Sequence, residues 1–324
     1  MSQVPLLLRV REALEKRCGI SPGQRLLLAV SGGSDSIAML HLLLELVPKI
    51  HLELEVGHFD HRLQKSSTGD REFVERLAKE HGVPTHVGEW ADPTPSEEAA
   101  RTARYAFLLG VAEERQCAAV VLGHHLEDRL ETLFLRLGRG SGLRGLAGLR
   151  WRRPDRVAIV RPLLGCQHAE LEGWLEDRAL PWRHDPSNDD LRFARNRLRH
   201  VMLPALEDLG PGWRKRAQES LEDLGAAWDW MQAQASEVAS RTDTSGALGR
   251  DDLKELPDLL LRTVLQSWLE DRGIKNLRRE HLEEVAHLAR NGHNGQMSML
   301  PGAVRCHVEA NRLVLAIAQV PETT

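Results

Sequence analysis

The sequence predicts an α/β protein: a doubly wound parallel sheet, then a smaller, mainly helical domain ending in a short antiparallel β meander. Two observations carry this reading. Up to about residue 160, apolar strand-like runs alternate with stretches of helical spacing, and such β-then-α repeats with short connections build a parallel sheet covered on both faces. Beyond Gly212 the pattern turns helical and closes in segments of period-two alternation. A chain of 324 residues has length for about two domains. The expected division is 1–208 and 209–324, marked by the stretch from Pro204 to Gly212 that also holds Pro211.

Each element has a local reason. A short amphipathic helix opens the chain (about 5 to 18), "RLLLAV" is a buried strand, and "DSIAMLHLLLELV" has helical spacing. "HLELEVGHFD" alternates as a strand, "GDREFVERLAKEHG" is a helix closed by Gly82, and "PTHVGEW" is strand-like. "SEEAARTARYAFLLGVAEERQ" is a long helix, "AAVVLGHH" a strand and "EDRLETLFLRLG" a helix. The glycine-rich "GRGSGLRGLAG" (138 to 148) lacks periodicity and reads as a mobile loop. Then come a strand-like "VAIVRPLL", a helix around "HAELEGWLEDRAL", the turn "PWRHDPSNDD" and a basic helix starting near Arg192. The second domain holds three helical patterns, and "QMSML", "AVRCHVE" and "RLVLAIA" form the meander.

Composition narrows the function classes. No run approaches 18 apolar residues and no basic-then-apolar leader precedes the first helix, so neither a membrane span nor a signal peptide is expected. Cys18, Cys117, Cys166 and Cys306 are scattered without a C-x-x-C pair, which argues against zinc and disulfide scaffolds and fits a reducing cytoplasm. Net charge is −4, but its distribution matters more than its sum. Between Arg136 and Arg161 the arginines face Asp155 alone, and Arg192, Arg195, Arg197 and Arg199 form a second cluster, followed by "WRKR". Such clustering beside loops points to a polyanion-binding face.

Three constellations carry chemistry. "LAVSGGSDS" runs from a buried strand through a glycine turn into a helix. A Walker A loop would need a lysine; Ser31, Gly32, Gly33, Ser34, Asp35 and Ser36 offer instead small residues, hydroxyls and a helix N-terminus, a setting for an anion. "GHHLEDRLET" puts His124 and His125 at a strand end, with Glu127, Asp128 and Glu131 grouped on the next helix. Such a cluster suits Mg²⁺ held with phosphates, or the deprotonation of an amine. In "DPSNDDLRFARNRLRH", Asp185, Asn188 and Asp190 suit a turn and cap, while Arg195 and Arg199 share a helical face able to pair with phosphate. Ligands of such sheets bind beyond the strands' carboxyl ends, where the glycine turn, "HFDH" and "GHH" all fall.

The S-G-G-x-D-S loop resembles the pyrophosphate-binding loop of the N-type ATP pyrophosphatases (the PP-loop superfamily), which cut ATP between its α and β phosphates. Together with "HFDHRLQKSSTGDREFV", "SEEAARTARYAFL", "GHHLEDRLET", "RLGRGSGLRGLAGL", "VRPLLG" and "DPSNDDLRFARNRLR", the chain from 26 to about 205 resembles the tRNA(Ile)-lysidine synthase family. The tail "LPGAVRCHVEANRLVLA" looks like the end of that family's first C-terminal domain.

The resemblance implies a Rossmann-like PP-loop fold, ATP and Mg²⁺ as cofactors, and a ligase that joins free L-lysine to the wobble cytidine of the CAU-anticodon tRNA(Ile). It implies pyrophosphate held by Ser31 to Ser36, metal at Asp35, and catalytic roles for Asp35, His124, Asp128 and Arg195. Asp60, His61, Glu127, Glu131, Arg139, Arg144, Asn188 and Arg199 would contact substrates, with the 138–148 loop closing over the cytidine through Arg139 and Arg144. A homodimer is compatible with it. The chain departs from the family's usual "DDQ" with Glu127, Asp128 and Arg129, and from "DHGLR" with Arg62 and Gln64. Alternatives are a paralogue acting on another tRNA or amine, and a non-catalytic tRNA-binding protein. Thiolation would need paired cysteines.

Overall fold

The computed structural model describes residues 4–62, 67–90, 96–184 and 190–317. The chain forms two compact units, Met1–Glu222 and Asp223–Thr324. They meet within a long helix, 14 residues beyond the 208/209 division read from composition.

In the first unit the strands β1 (Arg25–Ala29), β2 (Glu53–Asp60), β3 (Thr85–Glu89), β4 (Ala119–Leu122), β5 (Arg152–Arg153) and β6 (Ala158–Val160) form one sheet in the order β3-β2-β1-β4-β6-β5. Pairing is parallel except at the β5 edge, which runs antiparallel to β6. The sequence reading expected parallel strands alone; a two-residue strand is too short to show alternation.

Strand alternation feeds two cores. Leu26 and Leu28 of β1, Ala119 and Val121 of β4 and Val160 of β6 enter one apolar cluster, with helix α1 (Leu6–Glu12), helix α2 (Ser34–Ile50), helix α3 (Ser67–Glu80) and helix α7 (His168–Glu176). Leu27, Val120 and Ile159 enter the other, against helix α4 (Glu97–Glu114). Leu26 to Leu28, Ala119 to Leu122 and Ala158 to Val160 are therefore continuous apolar runs, because both faces of these strands are covered.

Two corrections concern the connections. Residues 138–148, read as a mobile loop for want of periodicity, fold into tight turns and helix α6 (Leu143–Leu146) directly after helix α5 (Leu126–Gly138). Arg136 holds the stretch down by donating from Nη1 to the Gly145 carbonyl at 2.8 Å, and Ala147 is buried. Glycine spacing hid this because the pins come from the preceding helix. The basic helix expected from Arg192 begins at α8 (Ala194–Arg197) and passes through a wider turn, Leu198–Met202, into α9 (Leu203–Ala205).

The second unit holds most of helix α10 (Trp213–Ala239), then β7 (Leu248–Gly249), α11 (Asp251–Lys254), α12 (Asp258–Glu270) and α13 (Arg279–Asn291). Strands β8 (Met297–Leu300), β9 (Val304–Glu309) and β10 (Arg312–Ile317) form the expected meander, with β7 added beside β10. Trp268, Val264, Val285, Leu288, Cys306 and Leu313 fill its core.

Candidate active site

The sheet order reverses direction between β1 and β4, which opens a crevice at their carboxyl ends. Beyond β1, Gly32 takes φ +101°, a conformation that strains any side chain. The Ser36 hydroxyl organises the turn: it accepts from the amides of Ser31 and Gly32, each at 3.2 Å, and donates to the Gly33 carbonyl at 3.0 Å. Gly33 caps α2, so the loop delivers backbone N–H groups and a helix dipole to one spot. Arg183 lies over it, its amide bonded to the Gly32 carbonyl and its side chain to Asp70. Gly123, after β4, permits the close approach: a Cβ there would stand 3.1 Å from the Asp35 carbonyl oxygen.

His125 caps α5 and is 1% exposed, with Asp35, Glu127 and Asp128 around it. Its Nδ1 lies 2.9 Å from Glu127 Oε2, and its Nε2 lies 3.5 Å from both Asp35 and Asp128. Burial alone would lower the His125 pKa, but the attraction of Asp128, the nearby Asp35 carboxylate and the hydrogen bond to Glu127 outweigh it and raise it well above the ordinary value. Burial likewise works to raise Asp35, yet His125 facing it at 3.5 Å and the hydrogen bond with His168 hold it far below the usual carboxylate range.

His124 behaves oppositely. Its Nδ1 accepts from Arg161 Nε at 3.2 Å, and burial, followed by nearby guanidiniums, takes its pKa down to about 3 against the pull of Asp128. The ring is neutral at pH 7, and an accepting Nδ1 leaves the proton on Nε2.

Asp128 and Glu131 form the other half. Glu131, fully buried, receives Arg195 Nε at 2.6 Å and Arg199 Nε at 2.7 Å. Asp128 receives Arg195 Nη2 at 3.2 Å and the His125 amide at 3.0 Å. Burial would raise Asp128, but the charges of His125 and Arg195 and the hydrogen bond from the His125 amide carry it to about 2. The arginine pair expected for phosphate is thus anchored on carboxylates, with Arg195 still 35% exposed.

The structure thus gathers Ser31 to Ser36, His124, Glu127, Asp128, Glu131, Arg195 and Arg199. Asp60 and His61 stand at the next strand end with local contacts: Asp60 accepts the Arg62 amide, and His61 packs edge-on against Phe59 and Trp90. Arg139 and Arg144 lie exposed on the 138–148 segment. Asn188 and Asp185 fall outside the described residues. Arg129 points away from the cluster, fully buried, paired with Glu222 and lying over Trp151, so replacing the family's usual glutamine alters a support rather than the crevice.

Sequence reasoning missed four contributors. His168 begins α7 and bonds Asp35 at 2.8 Å; Arg161 orients His124; Arg183 covers Gly32; and Arg214 reaches Glu127 at 3.4 Å. Only Arg161, in "VRPLL" at the end of a strand, carried a sequence signal, since it too lies at a carboxyl end.

A parallel sheet with a lysine-free glycine turn at its switch point defines a PP-loop, ATP-using enzyme, and a PP-loop domain model matches residues 6–206. A second model, the TilS substrate binding domain, matches residues 248–314. The tRNA(Ile)-lysidine synthase of a Synechococcus is 37% identical across 92% of both chains, and that of Gloeobacter violaceus 39% across 83% of both. That of a Nostoc is 30% identical over 94% of this chain and 95% of its own. The chain belongs to the tRNA(Ile)-lysidine synthase family. The fold is also that of a U34-tRNA thiolase from Methanococcus maripaludis, with TM-score 0.58 and 18% identity over 68% of this chain and 78% of that one.

Proposed function

We propose that the crevice adenylates the carbonyl oxygen on carbon 2 of the wobble cytidine of CAU-anticodon tRNA(Ile), and then guides free L-lysine onto that carbon. In the first step the oxygen attacks the α-phosphate and pyrophosphate leaves; in the second the lysine ε-ammonium gives up a proton to solvent, its nitrogen bonds carbon 2 as the free amine, and AMP leaves with the former carbonyl oxygen. The observation that carries this reading is the convergence of the Ser31–Ser36 loop with the Asp128–Arg195–Glu131 cluster.

The loop amides and the α2 N-terminus suit the departing pyrophosphate. Arg195, held by Glu131, suits charge building on the α-phosphate, and His124 offers a neutral Nε2–H donor. Asp128 sits too low in pKa to take a proton readily, which favours orienting the lysine ammonium over deprotonating it. Mg²⁺ takes oxygen donors, and the carboxylates of Asp35, Glu127 and Asp128 could share it with nucleotide phosphates. When bound, it supplies charge neutralisation at the phosphates. Arg139 and Arg144 on the 138–148 segment suit phosphate contacts with the tRNA. The four cysteines are free and buried, in keeping with a reducing cytoplasm, and no described helix is long and apolar enough to cross a membrane.

Lysine-dependent AMP release with ATP, Mg²⁺ and the CAU isoleucine tRNA tests the proposal, with mass spectrometry of the digested tRNA to find lysine joined to cytidine. Activity confined to another amine or tRNA would transfer the chain to a paralogous function. Failure to consume ATP with any tRNA would remove the catalytic reading.

A further inference from the structure

We infer that Asp35, His125 and His168 form a binding site for a borderline transition-metal cation of the Zn²⁺ or Co²⁺ class. Among the described residues these three each offer one ligand atom, all within 4.8 Å of one another. The second observation is a deficit. His125 is 1% exposed, and its Nε2 is buried without a hydrogen-bond partner while facing Asp35 and Asp128 at 3.5 Å. A buried polar nitrogen left unsatisfied costs free energy, and ligation would satisfy it.

His168 completes the set from a different element. Its ring stacks on His125 with centroids 5.1 Å apart and 27° between planes, while its Nδ1 meets Asp35 Oδ1 at 2.8 Å. Two imidazoles and a carboxylate suit Zn²⁺ or Co²⁺, whereas Mg²⁺ takes oxygen. Glu127, Asp128 and Glu131 pair with the guanidiniums of Arg214, Arg195 and Arg199, whereas Asp35 faces the two imidazoles. The imidazoles ligate as free bases, so capture of the ion sends protons to solvent. An ion here would tie up Asp35 and compete with the nucleotide's Mg²⁺, a consequence that rests on the proposed function; the binding itself does not.

The test titrates the chelator-stripped full chain with Co²⁺, without ATP, lysine or tRNA, reading visible absorption and proton release. Wild type should develop ligand-field bands, and His168→Ala and Asp35→Asn should each weaken binding about 100-fold. His168 opens α7 with its side chain 32% exposed, so its removal should leave the circular dichroism spectrum unchanged. Equal affinity in wild type and His168→Ala, or an X-ray absorption spectrum with oxygen donors alone, would overturn the site. Neither result depends on catalysis, so failure here is separable from failure of the ligase reading.

Discussion

Glu131 binds Arg195 and Arg199 at once, one through each carboxylate oxygen, at 2.6 and 2.7 Å. A fully buried acid on α5 thereby sets the position of two guanidiniums that begin 64 residues later. Glu131→Gln keeps the shape but removes the charge. It should cost roughly 1–3 kcal/mol in urea unfolding and lower AMP formation, since charged hydrogen bonds of this kind carry that much. Unchanged stability and unchanged activity together would show that the arginines hold their places without it.

Asp128→Asn should reduce product formation about 10²–10³-fold, the scale of losing one oriented electrostatic partner. Filter binding should show tRNA affinity little changed, since a buried side chain makes few phosphate contacts. Parallel loss of binding and turnover would assign Asp128 to structure.

Acid should destabilise the protein in two successive, overlapping windows. The His124 pKa is about 3 when folded against 6.5 free, so between those values the unfolded chain binds the extra proton and stability falls as pH falls. Asp128 drops from 3.8 to about 2, so its contribution is present above 3.8 and lost as pH falls towards 2. His125 is raised, so its contribution is complete below 6.5 and is lost at higher pH, leaving the His124 window unmasked. Chemical denaturation across pH should therefore show His124→Gln flattening the slope between pH 4 and 6. An unaltered slope in that variant would mean that His124 is not held neutral.

Gly123→Ala would place a methyl 3.1 Å from the Asp35 carbonyl oxygen and 3.3 Å from Ser36 Cα, both backbone atoms that cannot swing aside. Overpacking of this sort costs about 1–3 kcal/mol. Because the displaced atoms carry the glycine turn, the KM for ATP should rise more than that for lysine. A rise confined to lysine would separate Gly123 from the nucleotide.

Much of the site was legible because its chemistry sits in short local motifs. Ser31 to Ser36 lie on one turn, and His124 to Glu131 lie on one strand end and the first turns of one helix, so spacing alone groups them. The alternation of Leu26, Leu27 and Leu28 between two cores is likewise local, since strand geometry sends neighbours to opposite faces. The two-residue strands β5 and β7 were not legible, because their existence depends on a neighbour to pair with rather than on their own pattern.

The sequence by itself determined the class of fold, the lysine-free phosphate turn and the residue types that surround it. Only the tertiary structure decided the partners: His168 on Asp35, Arg161 on His124, and Arg195 and Arg199 on Glu131. The reason is physical. A backbone turn is encoded by its own few residues, whereas a hydrogen bond across 133 residues, as between His168 and Asp35, exists only once the sheet has brought α2 and α7 together.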